Sequence, residues 1–258
     1  MLLRDQLLLF AAGAAAASVN AAAGGGTLLS FPSLLAAGLS PLAANATSTV
    51  GLVPGSVASV AAFWEELRRE PAELLRVVIP SLSGGLLGGV LLLQLGGAVF
   101  DAVVPVLLVT AAALLACQPI VARMLVRSGP RRDRSPAARV AAVFLIAIYG
   151  GYFGAGQGIL FLGAMGHLLA RDFQRLNALK IVAALVANLI SASVFIVAEL
   201  WRPSGAVVWS AAAPLAAGAL VGGYFGVRLV RRLPEWALRA VASAVGVGIA
   251  VYIIVKRH

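Results

Sequence analysis

The chain has 258 residues, of which 61% are hydrophobic and 12% are charged, and its formal net charge is +10. A charged share this low, about half that of an ordinary soluble domain, excludes a soluble enzyme, a nucleic-acid-binding domain and a disordered chain. Long stretches without any charged residue, such as 6–64 and 140–170, lack the polar face that a water-soluble helix needs. The composition therefore predicts a polytopic α-helical membrane protein.

Eight apolar blocks follow one another along the chain, and six of them have the roughly 20 to 25 residues that one membrane helix needs. The first and fifth blocks are longer, and each carries glycines near its middle, at Gly24–Gly26 and Gly150–Gly158. Because glycine is a poor helix former, each long block is predicted to be a re-entrant hairpin of two helices, about 13 to 17 residues each, joined by a break. The blocks are 6–38, 42–64, 74–95, 99–122, 140–170, 177–198, 205–227 and 235–255.

The distribution of Lys and Arg favours the hairpins through the positive-inside rule. If both long blocks return to their own side of the membrane, the cytoplasmic loops 65–76, 123–139, 171–180 and 228–239 hold 16 of the 20 Lys and Arg residues. If every block crosses once, the cytoplasmic side holds only 13. The hairpin arrangement places both chain termini outside the cytoplasm.

The chain also matches itself at an offset of about 132 residues. Ala23–Leu29 corresponds to Ala155–Phe161, and a further match aligns Pro80–Gly89 with Pro214–Gly223. Two matches in the same order favour a gene duplication over chance similarity in a chain rich in Gly and Ala.

The duplication predicts a first repeat at 1–122, a basic cytoplasmic linker at 123–139 and a second repeat at 140–258. Each repeat has three full crossings, an odd number, so the two repeats have opposite orientations. The predicted fold class is an all-α polytopic membrane protein of two inverted repeats, each a broken or re-entrant helix hairpin plus three transmembrane helices. This architecture recurs among transporters.

The two glycine-rich breaks are predicted to meet near the middle of the bilayer, where the short helices that follow them begin near Thr27 and Ile159. Helix N-termini expose unpaired N–H groups and carry partial positive charge, so two of them facing one cavity form an anion site. The alternative is that the glycines only permit close helix packing. That alternative is preferred for four glycines within predicted helices, which are Gly84, Gly88, Gly218 and Gly222.

Few polar side chains lie inside the apolar blocks, and Lys180 is the most informative of them. A lysine inside the membrane is costly and indicates function, unless it snorkels to the cytoplasmic surface, and both interpretations stay open. Asn20 and Gln157 flank the breaks and either bind an anion or satisfy the broken backbone. Helix capping explains Asn45 and Asn177 nearly as well as ligand binding does. The candidate substrate-binding residues are Asn20, Gly24, Gly25, Gly26, Thr27, Asn45, Ser48, Gly154, Gly156, Gln157, Asn177 and Lys180.

The sequence shows no metal-ligand constellation, no Ser/His/Asp arrangement and no phosphate-binding loop. Neither an enzyme nor a bound cofactor or metal is therefore predicted. The acidic residues singled out, Glu65, Glu66, Asp101, Glu199 and Glu235, lie near the ends of blocks, which argues against a carboxylate that couples transport to a cation.

Two pairs of motifs resemble the sulfite exporter TauE/SafE family. Asn20–Pro32 followed by Ala44–Val50 is similar to the first-half motif of that family, and Tyr149–Gly156 with Asn177–Lys180 is similar to the second-half motif. The resemblance covers nearly the whole chain and implies transport of small anions, with sulfite and organosulfonates such as sulfoacetate among the substrates. Gln157 departs from the family pattern, because an apolar residue is expected there.

The predicted function is a membrane transporter that exports a small anion, either sulfite or an organosulfonate such as sulfoacetate. The alternatives are an anion channel, which would show a continuous pore, and a non-transporting membrane scaffold, which would lack a polar cavity. The expected partners are a small inorganic or organosulfur anion and the lipid bilayer, without nucleic acid. The expected location is the bacterial inner (cytoplasmic) membrane, which the chain crosses several times.

Overall fold

All regular secondary structure in the described part of the chain is α-helical, which confirms the predicted all-α class. The eighth predicted block, 235–255, and linker residues 128–134 lie outside the described residues. The computed structural model describes residues 3–22, 24–68, 71–127, 135–169 and 173–230.

The helices follow the first seven predicted blocks in chain order. Helix α4 is a short turn that connects two long helices, and every other helix consists mainly of apolar residues. The helices are α1 (Leu3–Ala22), α2 (Thr27–Ala36), α3 (Pro41–Ala62), α4 (Trp64–Leu67), α5 (Pro71–Arg127), α6 (Pro136–Tyr152), α7 (Gln157–Leu168), α8 (Phe173–Trp201) and α9 (Trp209–Val230).

Both predicted breaks are present, and glycines in a left-handed backbone conformation lie in each of them. Gly24, with φ +77°, lies between α1 and α2, in a segment that we call the first tip (residues 24–26). Gly154 and Gly156, with φ +83° and +81°, lie between α6 and α7, in the second tip (residues 153–156). Because only glycine adopts these angles at little cost, the chain leaves the helical path at these residues.

The helices beside the first tip differ in length from the prediction of about 13 to 17 residues each. Helix α1 has 20 residues and α2 has 10, whereas α6 has 17 and α7 has 12. Helix α1 is longer than predicted because it begins at Leu3, three residues before the predicted block 6–38, and includes Arg4 and Asp5 in its first turn. At 1.5 Å per residue, α1 is by itself about 30 Å long, close to the thickness of the hydrocarbon core.

Helix α5 covers the third and fourth predicted blocks. Gly96 has φ +72° and ψ 179°, which is a non-helical conformation, so α5 consists of two helical segments that meet at this residue. The predicted boundary between blocks 74–95 and 99–122 is confirmed at Gly96.

Four glycines within helices mark two sites of close helix packing, as predicted. A Cβ on Gly84 or Gly88 of α5 would overlap backbone carbonyl oxygens of α6. A Cβ on Gly218 or Gly222 of α9 would overlap backbone carbonyl oxygens of α1. Each of the two helices that precede a tip is thus packed closely against a glycine-bearing helix from the other half of the chain.

Large apolar side chains cover the outside of the bundle, among them Ile79, Val106 and Leu145, which are 64%, 67% and 64% exposed. Two helical stretches, Pro71–Ile120 and Gln174–Trp201, are long and apolar enough to cross a bilayer, and less than half of the most apolar part of each is buried inside the protein. Apolar surface of this extent requires an apolar surrounding, as a lipid bilayer provides.

The largest apolar cluster packs around both tips. The Phe31 ring of α2 meets the Phe153 ring edge-on, with centroids 5.8 Å apart, and Phe100 of α5 packs against Tyr152 at 5.7 Å. Because Phe31, Phe100 and Phe153 are almost completely buried, they hold the tips in the interior of the bundle.

Candidate functional site

The first tip contacts the first turn of α7, just after the second tip, through backbone atoms of Gly24 and Gly158. A Cβ on Gly24 would lie 2.8 Å from the Cα of Gly158, the second residue of α7, and a Cβ on Gly158 would lie 2.9 Å from the Cα of Gly24. Because carbon atoms in contact need about 3.5 to 4.0 Å, both positions require glycine. The end of the α1 segment therefore crosses the first turn of α7 in direct contact.

Lys180 extends from α8 into this crossing. Its side chain is 2% exposed, and its Cδ lies 3.0 Å from the position that a Cβ on Gly158 would take. Its Nζ donates a hydrogen bond of 3.5 Å to the carbonyl oxygen of Ala21, in the last turn of α1. The side chain therefore stays inside the protein and does not snorkel to the surface.

The positive charge of Lys180 is weakly compensated. The bond to Ala21 is longer than the usual 2.7 to 3.2 Å, although the carbonyl belongs to a helix C-terminus, which carries partial negative charge. Ala21 is the one hydrogen-bond partner that the described residues give Nζ. Because burial of an incompletely paired ammonium costs on the order of several kcal/mol, the site favours an anionic ligand beside Nζ.

A small cavity lies beside Lys180 and the contact between Gly24 and α7, and we call it the main cavity. Residues from α1, the first tip, α3, the first turn of α7 and α8 line it. The lining residues that have polar side chains or form the contact between Gly24 and α7 are Asn20, Gly24, Ser56, Ser59, Gln157, Gly158 and Lys180.

Two hydrogen bonds from side chains shape the tips. Asn20 Oδ1 accepts a hydrogen bond of 3.3 Å from the N–H of Gly26, the residue that precedes α2. The Nδ2 of Asn45 donates a hydrogen bond of 2.9 Å to the carbonyl oxygen of Tyr152, at the end of α6. Both asparagines thus satisfy backbone groups that the helix breaks leave without helical partners.

The side chain of Gln157 occupies space that a glycine at residue 150 leaves open. A Cβ on Gly150 would overlap the side-chain oxygen Oε1 of Gln157. Gln157 is 6% exposed and lines the main cavity, so its amide is held between α6 and the ligand space. The polar residue at this position therefore has a specific place in the fold.

The structure brings four predicted site residues together around the main cavity, which are Asn20, Gly24, Gln157 and Lys180. Five others belong to the tips or to the helix start that follows the first tip, without contributing to the lining of this cavity. These are Gly25, Gly26, Thr27, Gly154 and Gly156.

Three further predicted residues lie away from the lining of the main cavity. The Oγ of Ser48 is 2.6 Å from the Oγ of Ser30, a hydrogen bond that joins α3 to α2. Asn45 supports Tyr152, as described above, and its Oδ1 has no hydrogen-bond partner among the described residues. The Oδ1 of Asn177 is likewise buried without such a partner.

Two lining residues were missed by sequence reasoning, Ser56 and Ser59 of α3. Their hydroxyls donate hydrogen bonds to carbonyl oxygens of their own helix, at 3.1 and 2.9 Å, and both residues line the main cavity. Their spacing from Asn45 and Ser48 corresponds to whole helical turns, so a polar stripe along one face of α3 was the available signal.

A buried ion pair, also missed, joins the first turns of α5 and α8. Arg175 Nε lies 3.7 Å from Glu73 Oε2, and the two side chains are 9% and 10% exposed. Arg175 lies five residues before Lys180 in α8. The ion pair with Glu73 therefore anchors the part of α8 that carries the lysine. Among the described residues, no group of His, Cys, Asp or Glu side chains is arranged to hold a metal ion.

Comparison with known proteins identifies the family. No curated protein and no solved structure matches the chain. The family model described as Sulfite exporter TauE/SafE matches residues 9–253, nearly the whole chain, including both tips and Lys180. The matched region also contains all the apolar helices that suit a membrane protein. The chain therefore belongs to the sulfite exporter TauE/SafE family, a family of membrane transporters.

Proposed function

We propose that this protein exports a small sulfur oxyanion, either sulfite or an organosulfonate such as sulfoacetate, across the bacterial inner membrane. The observation that carries the proposal is Lys180, a lysine almost wholly buried at the crossing of the two tips with one long hydrogen bond to Ala21. The family supports transport of sulfur anions as a class. A bound oxyanion would supply the negative charge that the described residues do not place beside Nζ.

The groups around the main cavity suit an oxyanion. Gln157 and Asn20 carry amide N–H donors, and Lys180 carries an amine that donates hydrogen bonds and is cationic when protonated. Gly158 lies in the first turn of α7, where backbone N–H groups have no acceptor within the helix. A sulfonate or sulfite group has several acceptor oxygens, so it can accept from the ammonium, an amide and a backbone N–H together.

We further propose that the chain consists of two inverted repeats, 1–122 and 140–258, joined by the linker 123–139, with each tip at the turn of a re-entrant hairpin. The packing of α5 on α6 and of α9 on α1 supports this arrangement. In each contact, a glycine-bearing helix of one half packs on the helix before the tip of the other half, as two halves related by a two-fold axis would do. In transporters of this type, the substrate site lies at the interface of the repeats.

The membrane potential is proposed to drive export. The interior of a cell is electrically negative, so each negative charge that leaves gains about 2.3 kcal/mol per 100 mV. A divalent anion gains about 4.6 kcal/mol, which sustains a concentration ratio on the order of 10³. None of the three side chains named for the site, Asn20, Gln157 and Lys180, is a carboxylate, the usual carrier of a coupling cation.

The proposal is tested by flux measurements on purified protein in liposomes, with a potassium diffusion potential imposed and a panel of anions inside. We expect saturable efflux of sulfite or sulfoacetate whose net direction reverses when the sign of the potential is reversed. Almost no efflux is expected in Lys180→Met. Flux that ignores the potential but follows a proton gradient would contradict potential-driven export. Flux that does not saturate would favour the anion channel instead.

A further inference from the structure

Ser81 is a buried hydroxyl whose environment the proposed site does not explain. It lies in α5, it is 0% exposed, and its Oγ has no hydrogen-bond partner among the described residues. Other serines in these helices bond to a carbonyl oxygen of their own helix, as Ser83 does to Ile79 at 3.2 Å and Ser191 does to Ala187 at 2.8 Å. Because buried polar groups are nearly always paired, the hydroxyl of Ser81 points to a hydrogen-bond partner that binds reversibly.

Ser81 lines a second, smaller cavity, which we call the side cavity. Gln157, Gly158 and Lys180 line both the side cavity and the main cavity. The two spaces therefore adjoin at the residues where the tips cross.

The chemistry of the side cavity restricts what its ligand contacts. Val143, Ala147 and Phe161 make much of its wall apolar, and among the described residues its polar side chains are those of Ser81, Gln157 and Lys180. Each of these three side chains can donate a hydrogen bond, and none of them carries negative charge. An oxyanion that enters the side cavity therefore finds a donor on each of them and no repelling charge.

We propose that the side cavity is a second compartment of the anion path and that the Ser81 hydroxyl donates a hydrogen bond to the anion there. This inference rests on the proposed function and adds a residue and a route to it. The anion passes from the main cavity past Gln157 and Lys180 into the side cavity. On this path it keeps hydrogen bonds to these two side chains and gains one from Ser81.

Cysteine labelling tests whether anions reach Ser81. The chain has one cysteine, Cys117, which is exposed, so the tests use Cys117→Ser as background. We expect Ser81→Cys to react with a sulfonate-bearing methanethiosulfonate reagent in liposomes and sulfoacetate to slow the reaction about tenfold or more at saturation. The matched control is Ser83→Cys, two residues away on the exposed apolar face of α5 that faces lipid, where the charged reagent is not expected to react in liposomes.

Two outcomes would overturn the inference. A folded Ser81→Cys protein whose thiol reacts only after denaturation would show that anions do not enter the side cavity. Labelling that sulfoacetate leaves unchanged, in a protein that binds sulfoacetate, would show that the transported anion does not occupy it. Failure of the wild-type protein to bind sulfite or any organosulfonate contradicts the proposed function instead.

Transport kinetics give a second, independent readout. Ser81→Ala removes the hydroxyl and keeps the volume close to that of serine, so it is expected to raise the half-saturating sulfoacetate concentration about tenfold, with Ser83→Ala unchanged. Kinetics of Ser81→Ala equal to those of wild type would indicate that Ser81 is only a small packing residue, and would overturn its role as a ligand contact.

Discussion

The Cα of Gly158 lies 2.8 Å from the position that a Cβ on Gly24 would take. The atoms that surround this position belong to the backbone of α7, so no change of rotamer makes room for a side chain. The backbones at Gly24 and Gly158 can thus come into contact beside Lys180 because neither residue has a Cβ atom. A substitution here must move one tip and change the geometry of the proposed anion site.

Gly158→Ala is expected to reduce transport in liposomes to near background. The added Cβ meets the Cα of Gly24 at 2.9 Å and the Cδ of Lys180 at 3.0 Å, so it separates the tips and displaces the ammonium. Gly97→Ala is the control, because nothing lies within 4 Å of a Cβ there. Size-exclusion chromatography would show that both variants are folded, and wild-type transport by folded Gly158→Ala would refute the importance of the contact.

The positions of the breaks could be predicted from the sequence, whereas the contacts between them could not. Three consecutive glycines at Gly24–Gly26 and five glycines within Gly150–Gly158 favour a local break in a helix, although Gly150, Gly151 and Gly158 themselves lie within α6 and α7. Which glycine makes the contact depends on how α7 is rotated. In a membrane helix both faces are apolar, so the pattern of polar and apolar residues that reveals rotation in a soluble helix is largely missing.

The same limitation explains what was missed around Lys180. The sequence identified this lysine as unusual, but the direction of its side chain depends on the tertiary crossing of α1 and α7. Ser81 was not identified, since a single serine in an apolar block has no distinguishing signal. Glu73 lies at the edge of a block, where the sequence alone indicates an exposed end and the structure instead buries it with Arg175.

Gly150→Ala is expected to have the same effect as Gln157→Ala, although residue 150 itself does not line the main cavity. A Cβ at residue 150 would occupy the place of the Gln157 Oε1 and displace the amide. Each single variant should raise the half-saturating sulfoacetate concentration about tenfold. The double variant should be no worse than either single variant, since both changes remove one interaction, and additive effects would contradict this relation.

Glu73→Ala is expected to lower the free energy of unfolding by about 3 to 5 kcal/mol, because it removes the carboxylate that lies 3.7 Å from the buried guanidinium of Arg175. Glu65→Ala is the matched control. Its partner Arg68 lies 3.8 Å away, but the two side chains are 76% and 64% exposed, and exposed pairs contribute about 0 to 1 kcal/mol. Thermal unfolding in detergent measures both variants, and equal shifts in Tm would show that the buried pair does not stabilise the first turns of α5 and α8.

The central claim, that Lys180 neutralises a bound oxyanion, is tested most directly by calorimetric titration of purified protein with sulfoacetate and sulfite. Lys180→Met keeps the length of the side chain and removes its charge, so affinity should fall about tenfold to a hundredfold. Lys180→Arg should restore affinity only in part, because a planar guanidinium differs from an ammonium in shape and hydration. Folded Lys180→Met protein that binds the wild type's ligand with unchanged affinity would contradict an anion site at Lys180.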